Sequence, residues 1–197
     1  MKNVITIGRE YGSGGHEIGE MLAEELGFTF YNKDLISKIA ENLCVSEEFV
    51  RNTDAGHVRR NIFQEFFPIW SNDAIDQEKY IFEEQGKFIK KLAEEGNCII
   101  AGRRADFYLK DNPNAVHLFF YAPMECRVER IMNKYDLSRE EAIKKIEGMD
   151  RKRKNSYEYT TGRKWGVRQN YDRMIDTSTF SKEQVVKEIA DLIRGSK

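Results

Sequence analysis

The sequence predicts an α/β protein with a parallel β-sheet and a helical insertion between its second and third strands. Three observations lead to this fold class. Short apolar runs rich in β-branched residues alternate with stretches whose apolar residues recur every three or four positions. A glycine-rich turn joins the first run to the first helical stretch, and a long helical pattern separates the second run from the third. Strands that alternate with helices in this way form parallel sheets.

The first strand, turn and helix form the unit around which a site is predicted. Residues 4–7 are apolar or β-branched, and residues 8–19 contain five glycines. The helix that follows is indicated by an apolar stripe of Ile18, Met21, Leu22 and Leu26. A helix N-terminus after a glycine turn presents backbone N–H groups and a favourable dipole to an anion, which is usually a phosphate.

The turn does not match the full phosphate-loop pattern G-x-x-x-x-G-K-[ST]. With Gly14 as its second glycine, Arg9 stands in the place of the first glycine, Gly15 in that of the lysine and His16 in that of the hydroxyl residue. The dinucleotide pattern G-x-G-x-x-G also fails, because Glu17 stands at its last position. A glycine turn without any ligand therefore stays open as an alternative.

Cap and turn signals place the elements that follow. Gly27 is a predicted C-cap, and residues 28–31 form a short second strand. Residues 32–34 cap a helix, a further helix begins near Ser46, and residues 73–95 read as one long helix. Four aromatic residues between these helices either line a cleft or belong to the core of a helical lobe: Phe63, Phe66, Phe67 and Trp70.

Two continuous apolar runs, residues 98–101 and 116–121, predict strands that are buried in a parallel sheet. The first run ends at residues 102–104, which places two arginines at the carboxyl end of a strand. The second run contains His117, which we interpret as a satisfied core or edge histidine. This second run is followed by Pro123, which is predicted to stand at the start of a helix.

The last third of the chain continues the alternation. A capping box at residues 138–141 begins a helix whose later turns carry the basic run 150–154. Residues 157–170 lack periodicity and are predicted to form a mobile loop, and residues 171–177 form the last strand. Ser181 caps a final helix, for which we predict four inward-facing residues: Val185, Ile189, Leu192 and Ile193.

Composition limits the classes of protein to which the chain can belong. The 197 residues suffice for one sizeable core, and a net charge of −1 gives no reason to expect nucleic acid or an anionic membrane as a partner. Cys44, Cys98 and Cys126 lack metal-ligand spacing, so we predict reduced core thiols in a cytoplasmic protein. No apolar run has membrane-spanning length, and no signal-peptide core precedes the first strand.

Ligands of parallel sheets bind beyond the carboxyl ends of the strands. The glycine turn and residues 32–34 and 102–104 all follow strands at that edge. The basic run 150–154 and the segment 163–168 can fold over the same crevice. Cations and N–H donors therefore converge there, as a polyphosphate and a second phosphate would require.

These motifs resemble the cytidylate kinase-like family, within the P-loop nucleoside monophosphate kinases. The matching segments keep their order along almost the whole chain: residues 8–15, 31–36, 99–103, 127–131, 150–153 and 170–178. The resemblance implies one kinase-like domain with a P-loop NTPase-like three-layer α/β/α fold. Its parts would be a core (1–43 and 96–197), a helical acceptor-binding insertion (about 44–95) and a lid (about 150–170).

The resemblance also implies ligands and roles for individual residues. ATP and Mg²⁺ would be the cofactors, and the donor phosphates would be wrapped by Gly12, Ser13, Gly14, Gly15 and His16. Arg103 would hold the acceptor phosphate, with Lys33 and Asp34 at the start of the acceptor lobe. Arg151 and Arg153 would be lid cations near the transferred group. Arginine suits such roles because its planar fork grips two phosphate oxygens and stays charged.

The chain departs from the family at Gly15, where cytidylate kinases have a lysine. Loss of that cation weakens transition-state stabilisation unless another group replaces it. Arg9, Lys152 and Arg103 are the candidate replacements, and we count Arg9 among the predicted catalytic residues. His16 either contacts a phosphate or caps the helix. The ligands of Mg²⁺ are not identified, because the expected hydroxyl is absent.

Three functions remain open at this point. The first is ATP-dependent phosphoryl transfer to a nucleoside monophosphate, with CMP or dCMP favoured. The second is nucleotide binding without turnover in a protein of kinase descent, which the missing lysine motivates. The third is a small-molecule kinase with a non-nucleotide acceptor, since acceptor choice would reside in the poorly patterned lobe. That aromatic lobe suits a dimer interface as well as a base pocket, so a homo-oligomer is also open.

Overall fold

The computed structural model describes residues 3–32 and 74–195, with side chains from residue 80 onward in the second range. The described elements, in chain order, are β1 (Val4–Arg9), α1 (Gly15–Leu26), β2 (Thr29–Tyr31), α2 (Ala74–Glu95), β3 (Cys98–Ala101), α3 (Ala105–Tyr108), β4 (Ala115–Tyr121), α4 (Met124–Tyr135), α5 (Arg139–Thr161), a 3₁₀ turn (Arg168–Asn170), β5 (Arg173–Asp176) and α6 (Lys182–Gly195). The strands form one five-stranded sheet in the order β2–β3–β1–β4–β5, and every pairing is parallel. The predicted parallel α/β fold is confirmed.

The alternation of side chains along β1 explains why the sheet has a helical layer on each face. Ile5 and Ile7 pack in one core cluster with the apolar faces of α1 and α6. Val4 points the other way and packs in a second cluster with Ile89 of α2 and Ala105 of α3. Both faces of β1 are buried, as its apolar and β-branched sequence predicts. The result is the expected three-layer α/β/α architecture.

His117 agrees with its prediction as a satisfied strand histidine. Its Nδ1 lies 2.8 Å from Thr6 Oγ1 on the neighbouring strand β1. Its backbone N–H donates to Asp172 Oδ2 at 2.7 Å, immediately before β5. The polar groups of this residue therefore help to join β1, β4 and the approach to β5.

The prediction of a mobile loop at residues 157–170 is wrong in its first part. Helix α5 continues to Thr161 and ends at Gly162, which adopts a left-handed conformation with φ 66°. Tertiary contacts explain the extension: Tyr157 is buried and donates a hydrogen bond to Asp106 at 2.6 Å. Ser156 accepts one from Arg104 at 3.0 Å. Polar residues that face other elements remove the apolar periodicity without ending the helix.

Smaller differences follow from packing that local patterns do not contain. Leu192 was predicted to face inward but is exposed. The buried face of α6 includes Val186 and Ala190 and does not include Leu192. Cys98 is buried as predicted, whereas Cys126 is only partly buried on α4. The short helix α3 was not predicted, and β5 is shorter than the predicted strand 171–177.

Some predictions fall outside the described residues. These are the helices after residues 32–34 and Ser46, the cluster of Phe63, Phe66, Phe67 and Trp70, and Cys44. Of the predicted insertion, the structure describes α2, which agrees with the long helix predicted for residues 73–95.

The capping box at the start of α5 is present and supplies a first testable prediction. Ser138 N–H donates to Glu141 Oε2 at 2.9 Å, and Glu141 N–H donates to Ser138 Oγ at 3.4 Å. We expect Ser138→Ala to lower the free energy of unfolding by about 1 kcal/mol. The Glu141 N–H loses its acceptor, and the Glu141 carboxylate that accepts from the N–H of residue 138 is held less firmly. Urea unfolding measures this loss. The exposed mid-helix change Glu147→Gln is the control, and an equal effect of both changes would contradict the role of the cap.

Candidate active site

The glycine turn, residues 10–14, leaves β1 and enters α1 in a conformation that glycine alone adopts easily. Gly12 has φ 80° and Gly14 has φ 79°, and Gly15 opens the helix. Among the described residues, no acceptor bonds the backbone amides of Gly14 and His16. The first turn of α1 therefore offers free N–H donors together with the positive end of the helix dipole.

Arg130 of α4 and Thr177 hold the turn from its outer side. Ser13 O accepts hydrogen bonds from Arg130 Nη1 at 3.0 Å and from Thr177 Oγ1 at 2.6 Å. Arg130 Nη2 also donates to Thr177 O at 2.6 Å. The Ser13 hydroxyl turns inward and donates to Glu10 O at 2.9 Å. Because carbonyl groups of the turn are occupied in this way, its free amide donors are kept in place.

A second brace connects the turn to the middle of α5. Arg127 Nη1 donates to Asp150 Oδ2 at 2.5 Å, and Arg127 Nε lies 3.5 Å from Glu10 Oε2. The other oxygen of Asp150 accepts the Tyr11 N–H at 2.7 Å. Burial raises the pKa of Glu10, and the charge of Arg127 opposes that rise. One buried arginine thus joins two carboxylates that would otherwise face each other.

A cavity of about 1040 Å³ lies at the carboxyl ends of β1 and β3, where a crevice was predicted. Its walls come from the glycine turn, residues 102–106, α4, α5 and the first residue of α6. Its volume is at the upper end of the range of small-molecule sites, which leaves room for two ligands. Basic side chains line it more often than acidic ones: Arg9, Arg103, Arg104, Arg130, Lys134, Lys152, Arg153 and Lys182, against Glu10, Glu17 and Asp106.

Three of these cations lie close together. Arg9 Nη2 donates to Asn32 Oδ1 at 3.4 Å, and Arg153 Nη1 donates to the carbonyl of Arg9 at 2.9 Å. Burial lowers the pKa of Arg9 to about 9, and the charges of Arg153 and Arg103 add to the effect. Burial also lowers the pKa of Arg153. An anion placed among these side chains would offset both the cost of burying their charges and the repulsion between them.

The turn after β3 is fixed by polar contacts that sequence reasoning missed. Arg103 and Arg104 have φ of 55° and 57°, an uncommon conformation for residues other than glycine. Arg104 is buried and donates to Gln85 Oε1 of α2 at 2.6 Å and to Ser156 of α5. Arg104 therefore anchors the turn, and the neighbouring Arg103 lines the cavity.

Most of the predicted site residues with described positions line this cavity: Arg9, Gly12, Gly14, Gly15, His16, Arg103 and Arg153. Ser13 is buried behind the turn. Arg151 is exposed and does not line the cavity, whereas its neighbour Lys152 does. Lys33 and Asp34 lie outside the described residues. The ring of His16 contacts Asn32 at 3.1 Å and Glu20 at 3.4 Å.

Sequence reasoning gave no role to Arg130, Lys134 or Lys182, which also line the cavity. Lys134 binds Glu17 at 2.6 Å; burial raises the pKa of Glu17, and this bond brings it below its usual value. The sequence contains a pattern that could have identified two of them: basic residues recur at spacings of three and four and so share one face of α4, namely Arg127, Arg130 and Lys134.

Within residues 3–32 and 80–195, no group of three or more His, Cys, Asp or Glu side chains is arranged to hold a metal ion. Magnesium in phosphoryl-transfer sites needs fewer protein ligands, because phosphate oxygens and water complete its coordination. Glu10 is an oxygen donor at the cavity wall beside the glycine turn, so the residues present fit such an ion. None of the described helices combines the length and apolar character of a membrane span.

Comparisons with known proteins agree with this geometry. The model of the cytidylate kinase-like family matches residues 4–179. The curated cytidylate kinase of Methanocaldococcus jannaschii is 28% identical over 200 residues, which cover 98% of this chain and 99% of that protein. An uncharacterised protein from Eubacterium ventriosum is 26% identical, with a TM-score of 0.74 and 99% of each chain covered.

More distant solved structures share the architecture. The shikimate kinase of Acinetobacter baumannii aligns with a TM-score of 0.51 at 17% identity, covering 99% of this chain and 94% of the other. At that identity the likeness concerns the fold alone. It agrees with the three-layer α/β/α kinase fold.

Proposed function

Because this chain belongs to the cytidylate kinase-like family, we propose that it transfers the γ-phosphoryl group of ATP to a nucleoside monophosphate, with CMP or dCMP as the favoured acceptor. The family and the shared fold already support kinase-type phosphoryl transfer to a nucleotide or another small molecule. The observation that carries the proposal is the gathering of Arg9, Arg103 and Arg153 opposite a glycine turn with free amides, in one cavity.

The glycine turn would bind the donor. Backbone N–H groups of residues 12–16 would donate hydrogen bonds to the β- and γ-phosphate oxygens of ATP, and Arg130 would position the turn through Ser13 O. Lys182 lies on the flank of the turn, with its Cε 3.8 Å from where a Cβ of Gly14 would be, and would add a charge there. Magnesium, when bound, would neutralise charge on the triphosphate, and the carboxylate of Glu10 at the cavity wall would be its protein ligand.

The turn after β3 would bind the acceptor. Arg103 would hold the phosphate of the nucleoside monophosphate, with Lys33 and Asp34 at the entrance to the acceptor lobe. Arg153 would act between the two phosphates, since its guanidinium reaches the end of β1. Arg151 would contribute only after residues 150–170 close as a lid. Phosphoryl transfer needs positioning and charge neutralisation more than covalent help, and these residue types supply both.

Division of the chain into a core, an acceptor-binding insertion of about residues 44–95 and a lid of about 150–170 is part of the proposal. Helix α2 packs on the sheet beside the turn after β3, and Tyr108 OH donates to Phe82 O at 2.8 Å across that contact. Motion of the insertion would therefore reach the acceptor side of the cavity directly.

Nucleotide binding without turnover is the second candidate function. Gly15 favours it, because the position of the usual phosphate-binding lysine carries no side chain. This candidate predicts that ATP raises the free energy of unfolding without any formation of ADP.

Acceptor-dependent release of ADP tests the proposal. Purified protein with ATP and Mg²⁺ is assayed with CMP, dCMP, UMP, AMP and GMP, beside a blank without acceptor. We expect turnover with CMP or dCMP. We also expect Arg103→Ala to lower kcat/KM for the acceptor by about 10- to 100-fold, because a charge-assisted pair is lost.

Arg139→Ala is the matched control, since Arg139 is an exposed arginine that pairs with Glu125, and neither residue lines the cavity. Unchanged acceptor kinetics in Arg103→Ala would refute the role of Arg103. Thermal stabilisation by ATP with no ADP from any acceptor would favour the binding protein instead.

A further inference from the structure

Position 15 has no room for a side chain. A Cβ placed on Gly15 would lie 2.9 Å from Phe120 Cβ and 3.1 Å from Arg9 Cβ. Phe120 is fully buried in β4, and its Cβ is fixed by the strand backbone. Contacts below 3.0 Å require the backbone of the turn or of the strand to move. A lysine at this position would therefore displace the turn or the strand.

The side chain of Arg9 fills the neighbouring space. Arg9 is the last residue of β1, and its Cβ lies beside Gly15 at the start of α1. Its guanidinium extends across the sheet edge, where Nη2 donates to Asn32 and Nη1 lies against Gly102. The φ of 80° at Gly102 already favours glycine, and a Cβ there would also overlap Arg9 Nη1, so this glycine leaves room for the guanidinium.

Arg9 thereby connects the two halves of the cavity. Its side chain begins at the glycine turn, and its guanidinium ends at the turn that carries Arg103. Within the described parts of the chain, no carboxylate forms an ion pair with it. A charged group between two anion sites that has no carboxylate partner within residues 3–32 and 80–195 suits a ligand anion that passes from one site to the other.

We propose that Arg9 supplies the phosphate-binding cation that position 15 lacks, with its side chain beginning beside Gly15 and its guanidinium ending beside Gly102. The inference deepens the proposed function and rests on it. Of the other candidate replacements, Lys152 is exposed on α5, and Arg103 belongs entirely to the turn after β3, whereas Arg9 extends from the glycine turn to that turn. Arg9 is the candidate whose side chain starts beside Gly15.

The step that Arg9 would assist is balanced without a protein base. An oxygen of the acceptor's phosphate dianion forms a bond to the γ-phosphorus of ATP, and the bond from that phosphorus to the β–γ bridging oxygen breaks. The bridging oxygen leaves with the electron pair as part of ADP, and no proton moves. Negative charge decreases on the attacking oxygen and grows on the bridging oxygen, while the phosphoryl group passes between them; Arg9 would stabilise the charge along this path.

The test compares Arg9→Met, Arg9→Lys and wild type in the ADP-release assay with the best acceptor. We expect Arg9→Met to lower kcat by about 10²- to 10³-fold, the usual loss when one transition-state donor is removed. Arg9→Lys should stay within about tenfold of wild type, since the charge is kept. Guanidinium chloride at millimolar concentration should restore at least about tenfold of the lost rate in Arg9→Met, with sodium chloride as the salt control.

Circular dichroism and thermal unfolding verify the fold of each variant, and Arg139→Met controls for the loss of one arginine from an exposed position. If Arg9→Met does not fold, Arg9→Gln takes its place. Turnover of the methionine variant within about threefold of wild type would overturn the inference. A loss that neither lysine nor guanidinium repairs would also overturn it, since Arg9 would then serve only to shape the turn. Wild type without turnover would instead refute the proposed function itself, which separates the two failures.

Discussion

Replacement of Arg127 by methionine is expected to lower the free energy of unfolding by about 3–5 kcal/mol, the usual cost when one partner of a buried ion pair is removed. The guanidinium is buried and bonds Asp150 at 2.5 Å, and its Nε faces Glu10 at 3.5 Å. Without it, two partly buried carboxylates lose their counter-charge. Urea unfolding at pH 7.5 measures the loss, and Arg139→Met should cost less than about 0.5 kcal/mol.

The same variant should lose less stability in acid. Burial already raises the pKa of Glu10, and the charge of Arg127 is what opposes the rise, so its removal raises that pKa further. A carboxyl group whose folded pKa lies above its unfolded value binds protons more tightly in the folded state, so stability falls as pH rises through that window. The difference between variant and wild type should therefore shrink from pH 7.5 to pH 5.5. A difference that stays constant or grows in acid would contradict this electrostatic account.

Gly12→Ala should abolish most donor binding, whereas Gly27→Ala should not. Both glycines have positive φ, 80° and 68°, so each alanine pays about 1–2 kcal/mol of left-handed strain. A Cβ on Gly12 would also lie 3.1 Å from Arg127 Cβ, Arg127 O and Ile131 Cγ1, whereas a Cβ on Gly27 would meet nothing within 4 Å. Alanine at position 12 therefore requires the glycine turn or the contacting atoms of α4 to shift by a few tenths of an ångström.

We expect the displaced turn of Gly12→Ala to lower kcat/KM for ATP by at least about 100-fold, because small misplacements of reacting groups have large kinetic costs. Gly27→Ala should lose a similar amount of strain-related stability and keep its turnover. Kinetics and ATP-induced thermal shifts of the two variants give the comparison. Equal activities in both would show that contact of the turn with α4 does not matter for donor binding.

Much of the fold could be predicted from patterns among residues that are close in sequence. Strand β3 coincides with the predicted run 98–101, because a strand buried on both faces needs continuous apolar sequence. The start of α5 was predicted from Ser138 and Glu141, because a capping box involves neighbours in sequence. The edge of the sheet that carries the site could be predicted as well, because parallel strands have their carboxyl ends on the same side. Arg9 is the last residue of β1, and Arg103 lies in the turn after β3.

Contacts between distant parts of the chain could not be predicted. Continuation of α5 to Thr161 depends on Tyr157 meeting Asp106, 51 residues earlier in the chain. Nothing in the sequence of α4 separates Arg127, which pairs with carboxylates, from Arg130, which binds carbonyl groups of the glycine turn. Whether an arginine pairs with a carboxylate or with a carbonyl group depends on which of these lies close to it in three dimensions. Only the packed fold sets those distances.

The central position of β1 has a consequence for the order in which the protein acquires its structure. Both neighbours of β1 come much later in the chain: Val4 pairs with Cys98 and with Ala115. Closure of segments of about a hundred residues is entropically slow, so these pairings are late events of folding. The glycine turn is thus synthesised before either flanking strand and gains its rigid form only after both have arrived. A nascent or truncated chain that ends before β4 would contain every residue of the turn and still lack the rigid turn that the proposed donor site requires.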